Sequence, residues 1–244
     1  MRISLLSANR FKPIARHLSA CLLVTAAIGM APGAGAQAPS EAGQGRCSEA
    51  LIQRVGAHFH LAEFAFPSQD LSPGVGNGAL LVAGACKAWP TNGARTLAAF
   101  AYDAGVEYEK QLLLALLEGP GHRVLASYKG VIAEDAATQV SSHSLRLDTA
   151  RYTLSANTRA FGLRVNAFRD RCTYDGGSDD DLTLFVVEGR AIRPVLAETL
   201  SRWWHGPGNR CGGEETPRID SNVTISVEPT ASHGLADLRF TAVR

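Results

Sequence analysis

The sequence predicts a mainly β protein, a single-domain antiparallel β-meander of sandwich or barrel-like form with one short N-terminal helix and two disulfides. The first observation behind this is a period of two in residues 145–200: Leu145 and Leu147, Tyr152 and Leu154, Phe161, Leu163 and Val165, then Leu182, Leu184 and Val186. Apolar residues at every second position put one face of a strand in a core and the other in water. The second is the punctuation, since Ser155, Ala156 and Asn157 and then Gly189 break the bursts where tight hairpins would lie. The third is the cysteine count, four after the N-terminal segment discussed next.

Residues 1–36 read as a secretory signal peptide. Arg2, Arg10, Lys12 and Arg16 precede an apolar run over residues 18–30, and Ala34, Gly35 and Ala36 place small side chains at the cleavage positions. That run is about 13 residues, short of the ~20 that cross a bilayer, and no later run is longer, so the mature chain is expected to have no integral membrane segment. Leu18, Ser19, Ala20 and Cys21 imitate a lipoprotein-processing box, but such a box belongs at the end of an apolar segment and this one stands at its start. The expected location is periplasmic or secreted.

Cleavage removes four of the 24 basic residues and none of the 23 acidic ones, leaving a net charge of about −3. A nearly balanced surface lacks the basic field that nucleic acid requires, so no nucleic-acid partner is expected. Lysine is scarce beside arginine, alanine and glycine, a bias read as the composition of a GC-rich bacterial genome and not as function. In an exported chain Cys47, Cys86, Cys172 and Cys211 imply two disulfides. Of the three pairings, Cys47 with Cys86 and Cys172 with Cys211 is preferred, because each closes a loop of about 40 residues and staples one end of the chain. No two of the four are close enough for the paired hooks of a zinc site, and no C-x-x-C suggests thiol exchange.

In chain order, residues 37–78 form a lead-in, a short helix and a Pro/Gly loop, and residues 79–244 the β domain. Residues 37–46 are expected to be a flexible lead-in. Ser48 is placed to cap a helix whose face carries Leu51, Val55, Phe59 and Ala62. Residues 67–78 are a loop by composition. Strands follow at residues 80–86 and 96–102, with a turn at Thr91, Asn92 and Gly93 and a break at Asp103, Ala104 and Gly105. Residues 107–117 suit either a helix or a buried strand; the turn at Gly119, Pro120 and Gly121 and the alternation of Val124, Ala126 and Tyr128 favour a hairpin. Residues 131–137 read as a loop. A glycine-rich passage at residues 201–213 precedes two final strands at residues 223–227 and 235–243.

The chain has no G-x-S-x-G elbow, no H-E-x-x-H, no phosphate-binding glycine loop and no dinucleotide fingerprint. No cofactor, no metal and no catalytic residue is assigned. His58 and His60, near Glu63 and Asp70, would share a face on a strand but not on the helix expected there, so they read as surface histidines. Ser141, Ser142, His143 and Ser144 read as a polar turn, because sequence neighbours point apart and no acid orients the imidazole. Asn222, Val223 and Thr224 match a glycosylation acceptor that carries little meaning in a bacterial protein. Two segments remain as binding candidates. Asp175, Asp179, Asp180 and Asp181 are expected on a solvated acidic hairpin tip, whose spacing does not fit an EF-hand calcium loop. Of Trp203 and Trp204, beside His205, at most one can enter the core, and the other is left to anchor a protein interface or stack on a sugar. Trp89 reads as core. Together these point to a binding or inhibitory module acting on an envelope or extracellular protein, or alternatively to a carbohydrate-binding protein or glycan hydrolase of the envelope using two of the aspartates.

Overall fold

The structure is a computed structural model and describes residues 44–67, 79–135, 138–167, 176–205 and 217–243. The predicted signal peptide, most of the 67–78 loop with Asp70, and the segments carrying Cys172, Asp175 and Cys211 lie outside the described residues.

Helix α1, Glu49–His58, begins where Ser48 Oγ accepts the Leu51 amide at 3.3 Å, which satisfies one of the amides a helix start leaves unbonded. Its buried stripe is Leu51, Ile52, Val55 and Gly56, and the chain leaves the helix through His60, whose φ of 57° cannot continue it. At Gly56 a Cβ would stand 2.7 Å from Phe64 Cβ, so glycine lets the returning chain seat Phe64 against the helix. Phe64 then meets Phe100 and Tyr102 edge to face at 5.5 and 5.8 Å.

The strands are β1 (Gln44–Gly45), β2 (Leu80–Trp89), β3 (Asn92–Asp103), β4 (Glu109–Glu118), β5 (Arg123–Ala133), β6 (Leu145–Ser155), β7 (Thr158–Val165), β8 (Gly176–Glu188), β9 (Ala191–His205), β10 (Arg218–Ser232) and β11 (Leu235–Val243). Their order is β1-β2-β3-β4-β5-β9-β8-β7-β6, with β10 joining β9 to β11. Among these strands every pairing is antiparallel except that of β5 with β9, a single parallel register pair, Ser127 with Ala191, and Ala65 adds an isolated parallel bridge to Leu80 of β2. The mainly β, mostly antiparallel, curled sheet with one short helix is the architecture that the period of two predicts. Two meanders, β2–β5 and β6–β9, face each other across one core built from Leu97, Leu112, Leu114, Leu116, Leu147, Phe161, Leu163 and Phe185 among others.

The outward faces are covered as well. Under α1 lie Leu81, Phe100, Leu113 and Leu117, while Val223, Ile225, Val227, Leu235 and Leu238 of the β10–β11 hairpin pack on Tyr152, Leu154, Leu182 and Leu184. Strand β4 is therefore buried on both faces, Leu112, Leu114 and Leu116 one way and Leu113, Ala115 and Leu117 the other. Burial on both faces explains the unbroken apolar run that reads equally as helix in the sequence.

Three expectations are corrected. The lead-in expected to be flexible up to residue 46 ends in β1, because Gln44 and Gly45 pair with Lys87 and Cys86 beside the cystine. Residues 131–133, expected in a loop, continue β5, because β4 offers partners as far as Glu109 opposite Ala133. Residues 201–205, expected in an irregular glycine-rich passage, are the end of β9, paired on both edges.

The Cys47–Cys86 disulfide is formed, joining the start of α1 to β2 across 39 residues of sequence. Reducing it is expected to lower unfolding stability by about 2–4 kcal/mol through the freed denatured chain. Urea titration of the oxidised protein against a Cys47→Ala, Cys86→Ala variant measures the loss, and peptide mapping without reductant tests the expected pairing of Cys47 with Cys86 and of Cys172 with Cys211. A peptide crossing the two pairs would contradict that connectivity.

Candidate functional site

The two segments singled out in the sequence meet at one corner of the sheet. Strand β9 ends between β8 and β10, so Trp203 has Gly177 on one side and Asp220 on the other, and Trp204 lies between Gly176 and Ile219. Alternation then separates the rings. Trp203 is 1% exposed and fills the inner side, whereas Trp204 stays partly exposed on the opposite face. The His205 ring meets Trp203 edge-on at 5.1 Å, and the Arg218 guanidinium lies 5.6 Å from the Trp203 ring centroid, within cation–π range. Gly176 is required for this closeness, since a Cβ there would stand 2.7 Å from the Trp203 carbonyl oxygen.

The aspartate run is not a hairpin tip. Asp179, Asp180 and Asp181 lie within β8, and its register shifts at Ser178, Asp180 and Asp181 turn successive carboxylates toward different partners. Asp179 accepts from Arg218 at 3.0 Å, Asp180 from Arg164 and Arg146 at 2.5 and 3.3 Å, and Asp181 from Thr199 and Ser178 at 2.7 and 3.0 Å. Three acids in a row tolerate a strand here because arginines from β6, β7 and β10 come to meet them. Arg218 also bonds Asp220, and that bond, then Asp179, hold its guanidinium more firmly protonated against the opposing effect of burial.

Arg164 carries the network inward. It reaches Asp148 as well as Asp180, and Tyr152 donates its hydroxyl to Asp148 at 3.1 Å. Burial by itself would raise the Asp148 carboxyl, but the Ala150 amide and the Arg164 charge outweigh it and hold the group below the usual carboxylate range. Burial, reinforced by the Asp148 charge, pushes the Tyr152 hydroxyl up to about 12. Gly162 makes room, because a Cβ there would stand 2.6 Å from Leu182 and 3.0 Å from Asp148.

Sequence reading missed Arg146, Asp148, Arg164, Arg218 and Asp220. The available signal was charged residues in the outward register of alternating strands, Arg146 and Asp148 two apart and Arg164 beside Leu163. Their pairing depends on strand order, which alternation does not encode.

The remaining candidates do not converge. His58 closes α1 and its Nε2 lies 3.0 Å from Ser127 Oγ, while His60 stands beyond the helix end. Among the described residues no group of three or more His, Cys, Asp or Glu is arranged to hold a metal ion. Ser144 is buried with its Oγ accepting the Ser141 amide at 2.8 Å, and His143 is exposed, so the pair forms a turn leading into β6. Trp89 packs its edge on Phe161 at 5.9 Å at the border of the core. Among the described residues no helix is long and apolar enough to cross a membrane.

Set against known proteins, the chain matches no family model, no curated protein and no solved structure.

Proposed function

We propose that the protein is an exported, disulfide-stabilised β-rich binding or inhibitory module that acts on an envelope or extracellular protein. The observation that carries this reading is the corner itself. The register of β8, β9 and β10 sets partly exposed Trp204 on the same strand ends that hold Asp179, Arg218 and Asp220 in a rigid, ion-paired frame. A partly exposed tryptophan on a fixed strand end, with exposed Ile219 beside it in register and the ion pairs bracing the opposite face, has the form of a binding anchor whose side chain loses little freedom on contact. A cystine that ties the helix to the sheet suits an oxidising compartment.

The alternative, a carbohydrate-binding protein or glycan hydrolase, shares Trp204 as a stacking platform but asks two aspartates for acid and base roles. Of the three described carboxylates, Asp180 holds two guanidiniums and Asp179 a third, while Asp181 accepts from Thr199 and Ser178. An acid and a base must both be turned to the scissile bond, and these carboxylates are each bonded to side chains of the sheet itself. The geometry therefore favours binding.

Affinity capture tests the proposal. The oxidised protein is immobilised and offered envelope and culture-medium extracts, and the retained protein is then purified and titrated against wild type and Trp204→Ala. The expected result is one protein partner bound at least tenfold more weakly by Trp204→Ala, with the variant's thermal unfolding unchanged. Retention of glycan alone, or equal binding by both, would sink the reading.

A further inference from the structure

A second cluster lies at the other end of β9, roughly 45 Å of strand away from Trp204 at about 3.3 Å per residue. There the last turn of α1 lies over the β4–β5 turn and leaves a cleft of about 400 Å³ lined by Arg54, Ala57, His58, Gly121, Arg123 and Val124. Arg54 and His58 are four apart and share one helix face. Ser127 fixes the His58 ring through its hydroxyl at 3.0 Å. Ser127 is itself placed by the join between the two meanders, where its amide donates to the Arg190 carbonyl at 3.1 Å.

The charges here are not balanced. Among the described residues no carboxylate pairs with Arg54 or Arg190. Glu118 is the one acid that reaches a cleft arginine, and it divides itself between Arg123 and Arg95. The carbonyl end of α1 adds about half a negative charge, too little against three guanidiniums. Burial, then Arg190, then His60 hold the His58 imidazole below its ordinary value. A chain with 24 basic and 23 acidic residues has enough acid to neutralise such a spot, yet this one is left positive around a concavity.

We propose that the cleft between α1 and the β4–β5 turn is a binding site for a tetrahedral oxyanion, a phosphate or sulfate group carried free or as an ester, taken up by Arg54, Arg123 and His58. Guanidiniums offer forked donors that match two oxygens of such a group, and the imidazole adds a third donor once protonated. The site is independent of the Trp204 corner and stands or falls separately from it. Arg190 in the β8–β9 turn and His60 beyond the helix act on His58, while Arg54 on its own helix and Arg123 on β5, the latter paired with Glu118, line the cleft with it.

The test is NMR titration of the oxidised protein with inorganic phosphate, inorganic sulfate and a hexose phosphate, at constant ionic strength in chloride. Saturable shifts confined to residues 54–58 and 121–127 are expected, with the His58 titration midpoint moving upward when the site is filled. Arg54→Ala and Arg123→Ala, both at exposed positions, should each weaken binding at least tenfold, and Arg239→Ala, which removes a pair with Glu228 on the β10–β11 hairpin, should not change it. Tighter binding of the hexose phosphate than of the free ions would identify the ester as the ligand form, and the reverse would identify the free ion. Absence of saturable shifts, an unmoved His58 midpoint, or equal weakening by Arg239→Ala would overturn the proposal.

Discussion

Replacing Arg164 by Met is expected to destabilise the fold by about 3 kcal/mol, near the lower end of what breaking a buried ion pair costs. Arg164 is one guanidinium serving two carboxylates, Asp148 and Asp180, whose side chains are only 14% and 19% exposed. Methionine keeps the length and the packing but strands both acids. The pH dependence separates this account from a packing defect. In the native protein the Asp148 carboxyl lies below its unfolded value, so its contribution is fully present above about pH 4 and is lost as pH falls through the depressed native value. Without the arginine, burial is opposed only by the Ala150 amide and the Tyr152 hydroxyl, so the carboxyl rises from its depressed native value and contributes less stability. The variant's deficit should therefore be largest at neutral pH and smaller at about pH 3, as the pH falls toward the depressed native range of Asp148. Urea unfolding at the two pH values measures it, and a deficit of equal size at both would refute the ion-pair account.

Trp203→Ala is expected to cost about 3–5 kcal/mol, the range for emptying a buried aromatic site, whereas Trp204→Ala should cost below about 1 kcal/mol. The contrast follows from alternation on one strand end. Trp203 is 1% exposed with the His205 ring and the Arg218 guanidinium against it, and its loss also leaves Arg218 without a ring to lie on. Thermal melts of the two single variants give the comparison directly. Similar losses for both would mean that the two rings do not divide into a structural and a surface role. The same contrast makes Trp204→Ala the informative binding variant, since a double substitution would confound recognition with unfolding.

How far each feature could be read from the chain depended on whether its cause was local. Alternation at Leu145, Leu147, Leu163 and Leu184 is local, and so are the turns at Gly119 and Gly189, both with positive φ. These made the β-meander legible, and Ser48 as the helix cap with it. The fully apolar β4 hid its own identity because two separate covers, α1 and the facing meander, remove the alternation that marks a strand. The aspartate run misled for a related reason. Three consecutive carboxylates next to glycines resemble a solvated turn, and only the arginines arriving from β6, β7 and β10 make a strand of them. The parallel contact of β5 with β9 has no sequence signature, because a single register pair leaves no pattern in either strand.

That contact has a consequence for how the chain assembles. By hydrogen bonding there is one sheet, but its two halves share a single register pair, Ser127 with Ala191, and are otherwise joined through the interdigitated side chains of the inner core. Each half can zip up from chain neighbours, hairpin by hairpin, at small entropic cost. The expensive step is bringing the halves together, and it is rewarded only when the leucines and phenylalanines of both faces mesh at once. The backbone thus sets the shape of each half, and side-chain fit makes them one cooperative molecule.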